Sequence, residues 1–550
     1  MRMSSSLAAA VVLLTGTCMV ATSRADNSRL DLEAAVVSGR QAPGLDPGVR
    51  LGSVSAFGLN DAGGVGFSAV LFGPGVDASN FLALFAPTAT PDFRLAARAG
   101  DSIDGLPDTA RYASSLASGS FPKLNDHGEV SFASRIDDPS FDDGGLPSVF
   151  GPSGMGTPRV VVRPGTQVPD LASGVAYSFP TSEPTLNNSG DVAVLALIEG
   201  PGIPNGRGES LQFVSRSGQT RTLARAGGVA VGLADGTTYT RFNSGRLRLN
   251  DAGESAVIAS TRLADGTSSN SIVTLTRDGV ASAAASFGEQ AAGLTTGVRY
   301  SLLTAQESLQ LNNAGEVAFY SRLFGTGVDA TNDFALFAPS QDGGLTAVAR
   351  KGDHAPGFAD GVLLERFTES TAIVARSVAL NDAGQVAFRA RVVGDGITDA
   401  NNAALFGPAG DDRLTLIAQE GTQAMGFGAG YTYDQLELIE INNLGQTAFV
   451  ARVTDGVDLL SAIYATDTDG TLSLVAAEGD EVNVSLDPLV DDIRTIRDIA
   501  RRFEFNNLGQ VAVTVSFTDS SSAVLVATIP TPSGLPVLAL TWMLTGRRRR

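Results

Sequence analysis

The sequence predicts an all-β protein, an eight-bladed β-propeller, and three observations carry that expectation. A short phrase, an apolar residue followed by Asn, then Asp or Asn, any residue and Gly, recurs eight times along the 550 residues. Each period holds about four short strand signals and no helical periodicity. The two ends of the chain carry complementary parts of one further repeat.

The phrase places Asn and Gly at Asn60 and Gly63, Asn125 and Gly128, Asn187 and Gly190, Asn250 and Gly253, Asn312 and Gly315, Asn381 and Gly384, Asn442 and Gly445, and Asn506 and Gly509. Successive asparagines are 61 to 69 residues apart. A fixed period of this kind marks a repeat architecture. The Asn opens a type I turn, its side chain bonding the backbone two residues on. The Gly takes the left-handed position that follows, giving a three-residue hairpin loop with a glycine bulge.

A strand follows each turn. In "EVAFYSRL" Val317, Phe319 and Leu323 fall on one face, Ala318 and Tyr320 on the other. Val386 and Phe388 oppose Ala387 in the same way. One face is bulky, the other small, and both are largely apolar, so the sheet is covered on both sides. A short strand comes next, as in "FALFAP" at 334–339, "LALFAP" at 82–87 and "AALFGP" at 403–408. Then comes "LTAVARKGD" at 345–353 or its counterparts at 414–422 and 472–480. A Gly-rich link and a fourth strand lead back to the next Asn. Four strands per period, repeated eight times, describe a propeller. The period exceeds the roughly 40–50 residues of familiar blades, and loops absorb the difference.

The ends fit together. "LEAAVVSGRQAPG" at 32–44 is the third-strand phrase with its link, without the strands that should precede it. The final repeat, "FEFNNLGQVAVTVSF…SAVLVATIP", stops before the strand that would complete it. An eighth blade stitched from residues near 32–38 and 491–530 removes a free sheet edge. A linear solenoid has no use for that arrangement.

Both termini read as addresses. Residues 1–25 have a positive start at Arg2, an apolar run at 7–14 and a small-x-small site at Ser23-Arg24-Ala25, the layout of a secretory signal peptide. Residues 530–550 have prolines, an apolar stretch at 535–544 and four terminal arginines, a short hydrophobic stop with a positive cap. The propeller then spans 26–529. The tail resembles the PEP-CTERM class of bacterial sorting signals, with "PTP" where that class has Pro-Glu-Pro. The resemblance implies an exosortase-type sorting enzyme as a partner and a transient membrane anchor. A plain tail anchor is the alternative, and both readings place the body outside the cytoplasmic membrane. The phrase N-x-x-G-x-x-A-F, complete at 312–319, 381–388 and 442–449, resembles the tandem-repeat exported bacterial proteins named after that motif, whose members carry different C-terminal anchors. The other five copies depart at the Ala or the Phe. The resemblance implies a class and a location, not a reaction.

Composition excludes several chemistries. The net charge of −19 repels nucleic acid and anionic lipid. Cys18 is the only cysteine, so neither a disulfide framework nor a cysteine zinc site exists. His127 and His354 are the only histidines, Lys123 and Lys351 the only lysines, and no G-x-S-x-G elbow accompanies them. Carboxylates abound, and two of them could do glycosidase work, but Asp61, Asp126, Asp251 and Asp382 sit in the repeated turn. Gly-rich loops at 73–80, 325–333 and 394–402 alternate oxygen-bearing residues, which suits calcium. Asp77, Asp329 and Asp399 are the candidate ligands, with a polar hairpin loop as the plain alternative. Arg135, Arg322, Arg391 and Arg452 share one offset, ten residues after their Asn, and would form an anionic-ligand rim or ion-pair with nearby acids.

These readings favour a non-enzymatic, surface-associated propeller that presents loops for binding, with extracellular polysaccharide as partner, since PEP-CTERM-like sorting is linked to exopolysaccharide. A secreted polysaccharide hydrolase or lyase working through carboxylates is the second reading. A structural repeat protein without a specific ligand is the third.

Overall fold

The computed structural model describes residues 29–530, apart from 90–91, 117–120, 141–144, 154–155, 244–246, 302–307, 341–342, 368–376, 411–412 and 486–488. The signal-like and tail segments therefore lie outside the described residues, except for the first residue of the tail, Pro530. The described chain is all-β, with no α-helix and a single short 3-10 turn at Pro204–Gly206.

Eight antiparallel sheets form the blades. Blade 1 runs Arg50–Leu59, Val65–Phe72, Leu82–Pro87 and Phe93–Arg98, each strand pairing with the next. Blades 2 to 7 repeat that order, and in blades 2 to 6 the first strand is split in two. First strands touch first strands from one blade to the next all the way round, blade 8 meeting blade 1, so they are the innermost. The Asn–Gly turns join first to second strands. They therefore share one end of the axis, here the asparagine face. The loops after the second strands and the links after the fourth share the other end, the loop face.

Blade 8 is built from both ends of the chain. Ile493–Phe505, Gln510–Phe517 and Ser522–Thr528 supply its first three strands, and Leu32–Val37 its fourth. Leu32 faces Ala527 and Val37 faces Ala523 in an antiparallel pairing. The expected closure is present.

Blade-to-blade packing follows the alternation of the second strands. Val317, Phe319 and Leu323 join the cluster holding Ala256, Ile258 and Ile272 of blade 4. Ala318 and Tyr320 join the cluster holding Val386, Phe388 and Phe406 of blade 6. The bulky face thus meets the preceding blade and the small face the next. Burying one such Phe or Leu stabilises the fold by about 1.5–3 kcal/mol. Inside five blades the repeat's aromatic stacks on a cross-strand partner. The pairs are Phe67–Phe85, Phe132–Phe150, Phe319–Phe337, Phe388–Phe406 and Phe449–Tyr464, with ring centroids 4.9 to 5.5 Å apart.

Candidate functional site

The repeated turn does more than turn. In blade 5 the Asn312 Oδ1 accepts from the N–H of Ala314 at 3.1 Å and of Glu316 at 2.8 Å. Gly315 adopts φ 80°, which a side chain would strain. The same asparagine's Nδ2 donates to the carbonyl of Asn381 in the next blade at 3.2 Å. Asn125, Asn187, Asn250, Asn381, Asn442 and Asn506 each donate to the next blade's asparagine carbonyl at 2.9 to 3.2 Å. Asn60 donates instead to the carbonyl of Asp126 at 3.3 Å. The ring closes on itself, and all eight asparagines are buried.

A second ring lies beside it. The N–H of each following residue donates to the side-chain oxygen of its counterpart in the next blade. Asp61, Asp126, Asn188, Asp251, Asn313, Asp382, Asn443 and Asn507 make this circuit at 2.7 to 3.0 Å. Amides and carboxylates mix along it, and the Oδ2 atoms of Asp251 and Asp382 each accept from two asparagine amides. Asp61 and Asp126 are adjacent acids. Burial raises the Asp126 pKa, and the carboxylates of Asp61 and Asp251 add to that against a backbone hydrogen bond from Asp61. These aspartates hold blades together, which answers why the phrase recurs.

The candidate calcium residues sit on the loop face. Asp77 Oδ1 accepts from the N–H and hydroxyl of Ser79, at 2.8 and 2.6 Å. Asp329 repeats this with Thr331 at 2.8 and 2.5 Å. Those bonds hold both carboxyls below the ordinary range. In the third loop Thr398, not Asp399, fills the equivalent place: its N–H donates to Asn401 Oδ1 at 2.6 Å, as Asp77 N–H does to Asn80 and Asp329 N–H to Asn332. The three aspartates are therefore not equivalent. Among the described residues no group of three or more His, Cys, Asp or Glu side chains is placed to hold a metal.

His354 is also explained. In four links Gln41, Gln167, Gln290 and Gln423 hold a compact loop, donating to carbonyls within it and accepting from the N–H of Gly48, Gly174, Gly297 and Gly430. His354 stands where those glutamines stand, its Nε2 lying 3.3 Å from the Ala359 carbonyl. This Gln-x6-Gly recurrence is readable in the sequence. The four offset arginines lie towards the loop-face ends of the second strands, where Arg322 pairs in register with Phe334 and Arg452 with Ser461. Among the described residues none of the four makes an ion pair.

The residues that sequence reasoning missed lie on the innermost strands. Strand Ile493–Phe505 slips register between Ile499, opposite Val515, and Phe503, opposite Val513. Ala500, Arg501 and Arg502 therefore face only Thr514, whose hydroxyl accepts from Ala56 N–H of blade 1 at 2.9 Å. In blade 7, Glu437 and Leu438 bulge in the same way. Bulges re-aim side chains. The blade 8 bulge lines a cavity of about 550 Å³ between blades 8, 1 and 2, with Phe57, Leu84 and Leu116 as apolar lining. Phe121 stands at it, 49% exposed. The Arg502 guanidinium lies 4.6 Å from the Phe121 ring centre. Two carboxylates flank the cavity. Glu437 is 3.5 Å from Arg501. Glu183 accepts from Phe121 N–H at 3.4 Å and pairs with Lys123 at 3.3 Å. A larger cavity of about 620 Å³ lies further out, around Phe213 and Arg277, where Arg221 and Asp278 pair with each other. It lacks the inner cleft's exposed aromatic, Phe213 being buried.

Residues 14–410 and 366–536 match a family described as a family of unknown function (DUF7453). The chain belongs to DUF7453. No curated protein sequence is similar to it. Solved structures similar to this DUF7453 chain include the polysaccharide lyase Uly1, 9% identical, covering 78% of this chain and 94% of that one at a TM-score of 0.34. A polysaccharide lyase of family PL25, an ulvan lyase bound to a glucuronate–sulfated rhamnose sugar, is 8% identical, covering 73% and 90% at 0.30. A xylan β-1,4-xylosidase from Bacillus halodurans C-125 is 10% identical, covering 90% and 92% at 0.21.

One expectation is corrected. Regular repeats, two histidines and two lysines pointed to a non-enzymatic protein. That expectation is not kept: the similar structures include polysaccharide lyases and a glycosidase. Among the described residues, no helix is long and apolar enough to cross a membrane.

Proposed function

We propose that this DUF7453 protein is an exported, carbohydrate-active propeller, a polysaccharide lyase or hydrolase whose sugar chain occupies the cleft between blades 8, 1 and 2. One observation carries the reading: a cavity lined by the half-exposed Phe121 and by Arg501 of a slipped innermost strand has a carboxylate bonded to each, Glu183 to the Phe121 N–H and Glu437 to Arg501. An aromatic face offers a sugar ring a flat apolar platform. Glu437 and Glu183 supply the proton transfer that glycosidic cleavage needs, Glu437 being oriented by Arg501 and Glu183 by Lys123 and the Phe121 N–H. Export rests on the signal-like N-terminus, and surface sorting on the PEP-CTERM-like tail.

The test is turnover. The full chain is incubated with a panel of plant, algal and bacterial polysaccharides. Ultraviolet absorbance of unsaturated uronate reads elimination, and new reducing ends without it read hydrolysis. The reading expects one of these signals, lowered about a hundredfold or more by Glu437→Gln. Neither signal on any polysaccharide, or full activity in Glu437→Gln and Glu183→Gln, contradicts it.

A further inference from the structure

Among the described residues, the charged side chains lining the cleft are both arginines, Arg501 and Arg502, with their acidic partners standing just outside it. Against a net charge of −19, the single strand Ile493–Phe505 carries Arg494, Arg497, Arg501 and Arg502. Arg494 is committed to Asp492 and Asp519, and Arg497 reaches Ser516. Arg501 and Arg502 are the two that the three-residue bulge turns towards the cavity.

Neither is used up there. The Arg501 side chain is 50% exposed, and its one ion pair, with Glu437, is 3.5 Å long. Arg502 bonds Glu504 through Nε at 2.9 Å. Among the described residues its two terminal nitrogens donate no hydrogen bond. The Phe121 ring and the Glu504 bond fix the guanidinium plane, leaving its terminal edge for a bidentate acceptor. Lysines are nearly absent from the chain, so this cationic spot is built from planar, fork-shaped donors.

We infer that the cleft selects an anionic polysaccharide, with a carboxylate or sulfate of the sugar bound by Arg501 and Arg502 and the ring it belongs to laid against Phe121. This rests on the proposed sugar-binding cleft and names its substrate class. A uronate and a sulfate ester both present clustered oxygen acceptors that a guanidinium fork can bind.

Calorimetric titration of the full chain tests it, with a polyuronate oligomer, a sulfated galactan oligomer and a neutral dextran oligomer of equal length. The expected result is binding of at least one anionic oligomer, at least tenfold tighter than dextran, weakened by added salt. The double variant Arg501→Gln/Arg502→Gln loses tenfold or more, while Arg221→Gln, on the outer cavity, does not. Whichever anionic oligomer binds identifies the acidic group. Equal affinity for dextran, salt-independent binding, or anionic binding unchanged in the double variant overturns the inference. If the double variant melts early, the salt dependence and the dextran comparison on the unaltered protein still decide. Anionic binding without cleavage upholds this inference and sinks the catalytic reading; cleavage of a neutral glycan does the reverse.

Discussion

Asn506 Nδ2 donates to the carbonyl of Asn60 at 2.9 Å, across 446 residues of sequence. That bond is the last link of the eight-membered circuit. The same side chain accepts from Leu508 N–H at 3.1 Å and Gln510 N–H at 2.8 Å, and donates to Gln510 Oε1 at 2.9 Å. Four hydrogen bonds from one buried amide explain why the repeat writes Asn at this position.

Replacing Asn506 with Ala strands several buried groups, each costing about 1–3 kcal/mol. Asn506→Ala is expected to destabilise the protein by about 2–4 kcal/mol, read as a lower denaturation midpoint. Asn506→Asp keeps the acceptor and loses both donors, so it costs a comparable amount. A neutral result for both would mean that the ring adds nothing.

The N-terminal strand is expected to be essential to closure. Deleting residues 26–38 exposes the edge of strand Ser522–Thr528, which now pairs with Leu32–Val37. An unpaired edge invites association. Size-exclusion chromatography is expected to show aggregation, and hydrogen exchange to show blade 8 opening first.

Asp126 gives a pH-dependent prediction. Its folded pKa is raised by burial and then by its acidic neighbours. The unfolded chain releases that proton at lower pH, so ionising Asp126 opposes folding once pH rises through the ordinary carboxylate range. Four blades carry Asn at this place. Asp126→Asn keeps the acceptor for Asp61 N–H and removes the penalty. It is expected to raise stability at neutral pH, with the gain vanishing in acid, where Asp126 is protonated in both states. Melting curves across pH check this.

His354 is expected to be replaceable. His354→Gln restores the residue used in four other links and is expected to leave stability within about 0.5 kcal/mol and turnover unchanged. Gln290→Ala leaves loop carbonyls and the Gly297 N–H without their partner and is expected to cost about 1–3 kcal/mol. Loss of turnover in His354→Gln would assign the histidine a chemical role.

The architecture was legible because one residue type at one spacing encodes both the turn and the period. The ring was not. A local turn already accounted for each Asn, and a bond to the next blade leaves no further mark in the sequence. Asp399 was grouped with Asp77 and Asp329 by composition, although the loop places Thr398 at their position. The cleft depends on three residues opposing one. A register slip of that kind is set by the partner strand, so "IARRFEF" read simply as a strand with charges. The Arg501-Arg502 doublet, in so acidic a chain, was the available signal.

Hydrogen exchange with and without a bound anionic oligosaccharide tests the central claim most directly, because it locates the ligand whatever the reaction is. The account predicts protection confined to residues 54–57, 121–124 and 499–504, around the cleft of blades 8, 1 and 2. Protection on the loop face at residues 75–80 and 327–332, with the cleft unchanged, would contradict it.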